Sequence, residues 1–307
     1  MAGINQGVPE TAIGEPIRLG SNSEFEIEQH PVSDRLIIRD TLNGKVAYVR
    51  KERGGQIGGD GVLIKSLKEG KPMADDGRTY DTIQQAERAA NGWVFVPPGT
   101  FNESVTIDTD GLTLRGSGYN TLINASGDGV VVNAKNCTID SVRVTSGDRA
   151  FLNPNGGGGT YINCVANADN RTFRMNLSSP VTVINCVVED VRSIVGINVG
   201  SGSIVTGSIV KQASGITAPH GISADDNTII TNNIIQNANK YGIFQNNANS
   251  VIAGNRIINS GDTGLELTGD SSENIIANNR ISDSANADIN NDGTGNLLDG
   301  NLTGASN

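Results

Sequence analysis

Between residues 114 and 302 the chain repeats, nine times, an apolar pair, a Gly/Asn/Asp and a further apolar residue, at intervals of 22 to 25 residues. The Gly/Asn/Asp column runs Gly116, Asp140, Asn163, Asn185, Gly207, Asn232, Gly254, Asn278, Gly300. Only these residue types sit cheaply at φ > 0, because a Cβ clashes there and a short polar side chain partly compensates. The column predicts one left-handed bend per repeat. A fixed period of this length is the signature of a solenoid.

A second column has the same period and reads Gly129, Ala150, Thr172, Gly196, Gly221, Gly242, Gly264, Ala287, all small. The residues after it are Val130, Phe151, Phe173, Ile197, Ile222, Ile243, Leu265 and Asp288, apolar in every repeat but the last. A position that is apolar once per coil points inward and stacks on its copies. The segments are short and β-branched, with turn residues every few positions and no sustained helical stripe, so each repeat reads as a coil of short parallel strands. Cys164 and Cys186 share the position after the bend in neighbouring coils, where Asn233, Asn255, Asn279 and Asn301 follow. That column reads as a packed ladder continuing into stacked asparagine amides.

Residues 1–56 carry no repeat and read as a small β module. Arg35–Arg39 and Val46–Arg50 are expected strands joined around Asn43-Gly44, and Ser23–Glu28 alternates as a half-buried strand does. Residues 57–80 read as a Gly-rich linker leading into the solenoid, and 81–307 as the capped solenoid. The helix expected over 81–92 would cover the open first coil. Asp81 would cap its start, and Ile83, Ala86 and Ala90 would form its apolar face.

The formal net charge of −10 argues against a general nucleic-acid binder. The acidic balance also suits a halophilic source. No CxxC or Cys/His spacing indicates a metal site, and no cofactor motif occurs. The N-terminus MAGINQGVPE shows no signal-peptide pattern, and no run reaches membrane-spanning length.

The stretches Tyr80–Ala86, Val94–Val105 and Leu112–Gly118 resemble the opening of right-handed parallel β-helix proteins of the pectin-lyase-like superfamily. The resemblance covers about residues 76–302. It implies an all-β fold: a right-handed parallel β-helix with an N-terminal capping helix. A short β module before a capped β-helix also resembles surface spikes and tailspikes of tailed viruses, with haloarchaeal viruses the expected source. That likeness implies a virion-surface protein whose residues 1–56 dock on other virion proteins. The β-helix would then be exposed for attachment to a host glycan or glycoprotein, commonly as a homotrimer.

The superfamily also holds polysaccharide lyases and hydrolases, the alternative reading. Their catalytic sets are not complete here. Pro219-His220-Gly221 and Asp225-Asp226 fall in one coil in reversed order, and Glu189-Asp190 meets Lys211-Gln212 in the next coil rather than another acid. The expected protein is therefore non-catalytic. Its binding candidates lie beside the small column: Arg149, Arg171, His220 and Tyr241 one residue before it, Arg174 and Phe244 two residues after. Arg suits anions and aromatic faces suit sugar rings. Burial of Leu152, Tyr241 and Phe244 between subunits is the competing explanation. His30 reads as a loop residue.

Overall fold

The computed structural model describes strand residues 17–18, 25–29, 35–40 and 46–50, and from 69 to 304 all but 155–156, 170, 176–179, 192–194 and 212–219. From Trp93 onward the chain winds as a right-handed parallel β-helix of about nine turns. One coil shows the plan. Val181–Ile184 lies on the first face, Val187–Val191 on the second and Val195–Val199 on the third, and each pairs in parallel with its copy one coil on. The three faces are sheets of eleven, ten and nine strands. The four N-terminal strands form a separate antiparallel sheet, in which Arg35–Asp40 pairs with Val46–Arg50 as the hairpin pattern predicts. The Asn43-Gly44 turn, the Gly-rich linker and His30 lie outside the described residues.

The bend column turns the chain from the first face to the second. Asn163, Asn185, Gly207, Asn232, Gly254, Asn278 and Gly300 all have φ between 52° and 67°. The first two coils depart from the prediction. In place of Asp140, the following residue, Ser141, takes the left-handed conformation. Gly116 is not left-handed at all. It is glycine for lack of room: a Cβ there would strike the Ser141 carbonyl and the Val142 side chain. A second left-handed column, which the sequence did not disclose to us, precedes the first face and includes Asn136, Gly158, Gly202, Asn227, Asn249, Glu273 and Gly295.

The small column is small because it faces inward at a crowded corner. A Cβ at Gly221, Gly242 or Gly264 would drive into Ile235, Ile257 or Ile281 across the channel, and into a carbonyl of the next coil. The adjoining column stacks as expected. Phe151 lies on Phe173 with ring centroids 4.6 Å apart, and Tyr161 from the first face meets both edge-on. The exception at Asp288 is a matter of register. Leu265 pairs with Ile289, so Ile289 continues the apolar column and Asp288 sits beside Gly264.

Two buried polar ladders run along the later coils of the first face, from Cys186 to Asn301 and from Thr228 to Asn296. At its exit, the amide N–H of Cys186 donates to Ser208 Oγ at 3.1 Å, and Ser208 N–H to Asn233 Oδ1 at 2.9 Å. The N–H groups of Asn233, Asn255 and Asn279 donate in turn to the next asparagine's Oδ1. Each asparagine's Nδ2 returns a bond to a carbonyl of the preceding coil. The cysteines are free thiols, and their Sγ–H groups donate to carbonyls such as Ile162 and Ile184. The second ladder, through Thr228, Ser250, Asn274 and Asn296, guards the start of the same face. Both satisfy backbone groups that turn inward at a corner, where no strand partner exists.

The capping helix α1 spans Ile83–Ala89 and buries Ile83 and Ala86 over the first coil. Its N-cap is Thr82, whose Oγ1 accepts from Gln85 N–H at 3.1 Å, rather than Asp81, which pairs with Lys71 at 2.6 Å. Asp81 lies one residue before the cap, where its N–H donates to Gln85 Oε1 at 3.2 Å. Glu103 reaches up from the first coil and accepts from the N–H groups of Ile83 and Gln84. The Gln84 amide pairs with both backbone groups of Thr106, imitating one more strand on that edge. Glu87, 2% exposed, accepts from the N–H groups of Asp108 and Thr109. At the other end Leu297, Leu298 and Leu302 are exposed.

Replacing Asn232 by Val forces a β-branched residue to φ 57° and is expected to cost about 1–3 kcal/mol. Asn255→Leu strands the Asn233 N–H and the Ile230 carbonyl and should cost about 2–5 kcal/mol. Urea denaturation followed by circular dichroism measures both. A neutral Asn255→Leu would show that the ladder carries no stability.

Candidate functional site

The third face brings the sequence candidates into two columns. Strand pairing aligns Arg149 with Arg171, Arg171 with Val195 and Val195 with His220. Two positions beyond the small column, Leu152, Arg174, Asn198, Ser223, Phe244 and Glu266 follow one another in register. Because these strands pair in parallel and in register, outward side chains on neighbouring coils stand one strand spacing apart, ~4.8 Å.

At that spacing aromatic rings stack. His220 lies parallel to Tyr241 of the next coil, centroids 5.0 Å apart and planes 2° apart. Phe244 joins both, 5.0 Å from His220 and 5.4 Å from Tyr241, within 11° of parallel. The two columns thus meet in one cluster of three offset-parallel rings, all half-buried. The Lys240 ammonium sits 4.4 Å from the Tyr241 centroid, a cation–π contact. Burial, with Lys240 close by, pushes His220 down from 6.5 to about 4, so at neutral pH the imidazole is uncharged. Its Nδ1 is buried with no hydrogen-bond partner among the described residues. Glu266, the next residue in the Phe244 column, is almost buried and accepts from Asn290 Nδ2 at 3.0 Å.

The other candidates separate from this cluster. Arg149 makes a two-pronged pair with Asp128, Nε to Oδ1 at 2.6 Å and Nη2 to Oδ2 at 2.7 Å, and also touches Asp148 at 3.1 Å. Its fork is filled, so it presents no donor pair to an incoming anion. The side chains of Arg171 and Arg174 lie outside the described residues. Leu152 is already buried within the single chain, at 8% exposure.

Carboxylates that could serve chemistry are tied into the scaffold. Asp225 bonds Asn247 Nδ2, and Asp226 accepts from Ala248 N–H at 2.8 Å, so both fasten one coil's turn to the next. Burial and the neighbouring Asp226 raise the Asp225 pKa. Glu189 pairs with Arg143 at 3.3 Å, whose guanidinium in turn lies 4.3 Å over the Tyr119 ring. No helix among the described residues is long and apolar enough to cross a membrane.

The family described as "Periplasmic copper-binding protein (NosD)" matches residues 101–303. The chain belongs to the NosD family. Among solved structures, the NosD-family chain is similar to "Geobacillus virus E2 - ORF18", at 15% identity and TM-score 0.51, over 94% of this chain and 69% of that one. It is also similar to a pectin methylesterase mutant in complex with a hexasaccharide, at 12% identity and TM-score 0.49, over 62% and 80%. At these identities the likeness is one of fold. A comparison with curated proteins gave no match.

The family's description raises copper, and the described residues do not fit it. Among them no three His, Cys, Asp or Glu side chains converge to hold a metal ion. Cys137, Cys164 and Cys186, the soft ligands, are buried in the coil interior, and burial holds the Cys137 and Cys164 thiols above their ordinary pKa. A copper ligand would have to lose that proton.

The depressed His220 has a sign that can be tested. Between pH 6.5 and about 4 the unfolded chain binds a proton that the folded chain refuses, so stability falls as pH falls through that window. His220→Gln should flatten the dependence by on the order of 1 kcal/mol relative to the parent, allowing for partial exposure. Paired urea titrations at pH 7 and pH 4.5 measure it. Identical pH dependence in the two proteins would contradict the burial of the ring.

Proposed function

We propose that this chain is a virion-surface β-helix that binds a carbohydrate of the host surface through the His220–Tyr241–Phe244 cluster, without cleaving it. The cluster carries the reading. The three rings lie parallel and stacked on one another, half-buried, and the aromatic face at the end of that stack is a platform suited to the C–H face of a sugar ring. An uncharged imidazole keeps that platform apolar, while Lys240 offers a cation beside it for a carboxylate or sulfate substituent.

The placement on a virion is supported by two features. The likeness to the Geobacillus virus E2 protein extends over nearly the whole chain, and an antiparallel sheet precedes the β-helix. In this reading residues 1–56 dock to other virion proteins, and the β-helix assembles as a homotrimer. The engagement of Asp225, Asp226 and Glu189 in structural bonds supports binding rather than cleavage.

Immobilised neutral and acidic oligosaccharides from host envelopes test the reading with the full chain. Binding is expected, and Tyr241→Ala or Phe244→Ala should weaken it tenfold or more with the fold retained. Binding that survives both substitutions would remove the cluster from the function. New reducing ends or unsaturated sugars appearing on incubation would instead move the protein to the enzyme reading.

A further inference from the structure

The second face gathers positive charge on a chain whose formal net charge is −10. Its outward position nearest the bend reads Val187, Ile209, Ile234, Arg256, Arg280 in successive coils. Strand Arg256–Ile258 pairs in parallel with Arg280–Ser282, residue for residue, so the two arginines leave the backbone one strand spacing apart, ~4.8 Å. Both are exposed, as is Lys211, two places beyond Ile209 on the same face. The outward positions around these cations hold Ile234, Gln236, Ile258 and Ser282, and no carboxylate.

Elsewhere the chain does not leave its arginines in this way. Arg78 pairs with Asp76, Arg115 with Asp140, Arg143 with Glu189 and Arg149 with Asp128. Arg88 stands in the last turn of α1, where a cation meets the negative end of the helix. Arg256 and Arg280 enter no ion pair among the described residues. The acids next in register are placed otherwise. Asp283 accepts from Ser282 Oγ at 3.1 Å, and Asp299, one coil on and across the bend, is aligned with Ala277 rather than with either arginine. Two like charges so close repel, and the packing does not ask for them, since the same column is aliphatic in the coils before. An anion placed between them reverses the sign of that interaction.

The approach is open. The bend beside Arg256 is Gly254, which has no side chain, and the first-face strands end there at Ala253 and Ala277. Each guanidinium offers a planar fork of N–H donors. A carboxylate, with its two oxygens, is filled by a single fork. A sulfate or phosphate group carries more oxygens, set on a tetrahedron, so it can accept from both arginines at once.

We infer that Arg256 and Arg280 form a binding site for a tetrahedral oxyanion, a sulfate or phosphate group either free or carried as an ester on a larger ligand. Lys211 lends attraction from the same face. The rest of the chain repels anions at a distance, so the two forks themselves hold the ligand. The site lies on a different face from the His220–Tyr241–Phe244 cluster and stands or falls without it.

The test follows arginine Nε–H signals by nuclear magnetic resonance in the full, isotopically labelled chain. Sodium sulfate or sodium phosphate is titrated against sodium chloride at constant ionic strength. Saturating shifts at Arg256 and Arg280 are expected with both oxyanions, while Arg149, whose fork Asp128 fills, stays unchanged. Shifts no larger than chloride produces, or equal shifts at the exposed Arg78, would overturn the inference. Arg256→Lys with Arg280→Lys keeps the charge and removes the forks, and sulfate should then bind about tenfold or more weakly. Unchanged affinity in that variant would leave a diffuse positive surface in place of a site, against the inference. Shifts at both arginines that grow with protein concentration alone, together with a rising mass, would assign them to carboxylates of another copy, also against it. A sulfated disaccharide that binds more tightly than inorganic sulfate, with its unsulfated parent silent, assigns the anion to a glycan ester, and equal affinity assigns it to the free ion; both uphold the site. Tyr241→Ala and Phe244→Ala, which judge the carbohydrate reading, should leave the sulfate response as it is.

Discussion

Everything in this molecule follows from the requirement that each coil fit on the one before it at a single strand spacing. Parallel pairing fixes the backbone separation, so a side chain has as its neighbour the equivalent side chain of the next coil. Like must therefore stack on like or on something that leaves room for it. Asn185 is followed by Gly207, Asn232 by Gly254 and Asn278 by Gly300, and in each case a Cβ on the glycine would strike the asparagine's Oδ1. The same rule places Phe151 on Phe173 inside, and His220 beside Tyr241 outside.

This rule also decides what could be read from the sequence. The period, the inward columns and the asparagine ladder each rest on one narrow residue class recurring in one place, and they were legible. The second ladder was not, because Thr228, Ser250, Asn274 and Asn296 share only a polar atom at the right reach, not a residue type. The bends at Gly116 and Asp140 misled for a related reason. Glycine answers both to a left-handed backbone and to a lack of space, and an aspartate can stand beside the turning residue, so the letters alone do not separate the causes. Glu87 looked like any charged residue on a helix. Its burial becomes intelligible only once the edge of the first coil, with its unpaired N–H groups, lies beneath it.

The candidate site was legible as two columns but not as a cluster. Register placed Tyr241 beside His220, whereas Phe244 reaches them from the neighbouring column, a matter of side-chain direction that no spacing encodes. Arg149 shows the converse. Its residue type suggested an anion site, and Asp128 in the preceding coil turned it into a fastening within the scaffold. An arginine is informative about ligands only after the acids one coil away have been accounted for.

The first coil of the solenoid is held by groups from outside the stack, and this sets where its protection is greatest. At the start, helix α1, Glu103, Gln84 and Glu87 occupy the donors and acceptors of the first coil. In the last described coil Asn301 accepts from Asn279, and Leu297, Leu298 and Leu302 are exposed. In a stack where each coil touches only its neighbours, opening begins where a coil has one neighbour instead of two. Helix α1 ties the first coil down from outside the stack, and the amide hydrogens held beneath it, at Thr106, Asp108 and Thr109, are expected to be among the slowest of that coil to exchange.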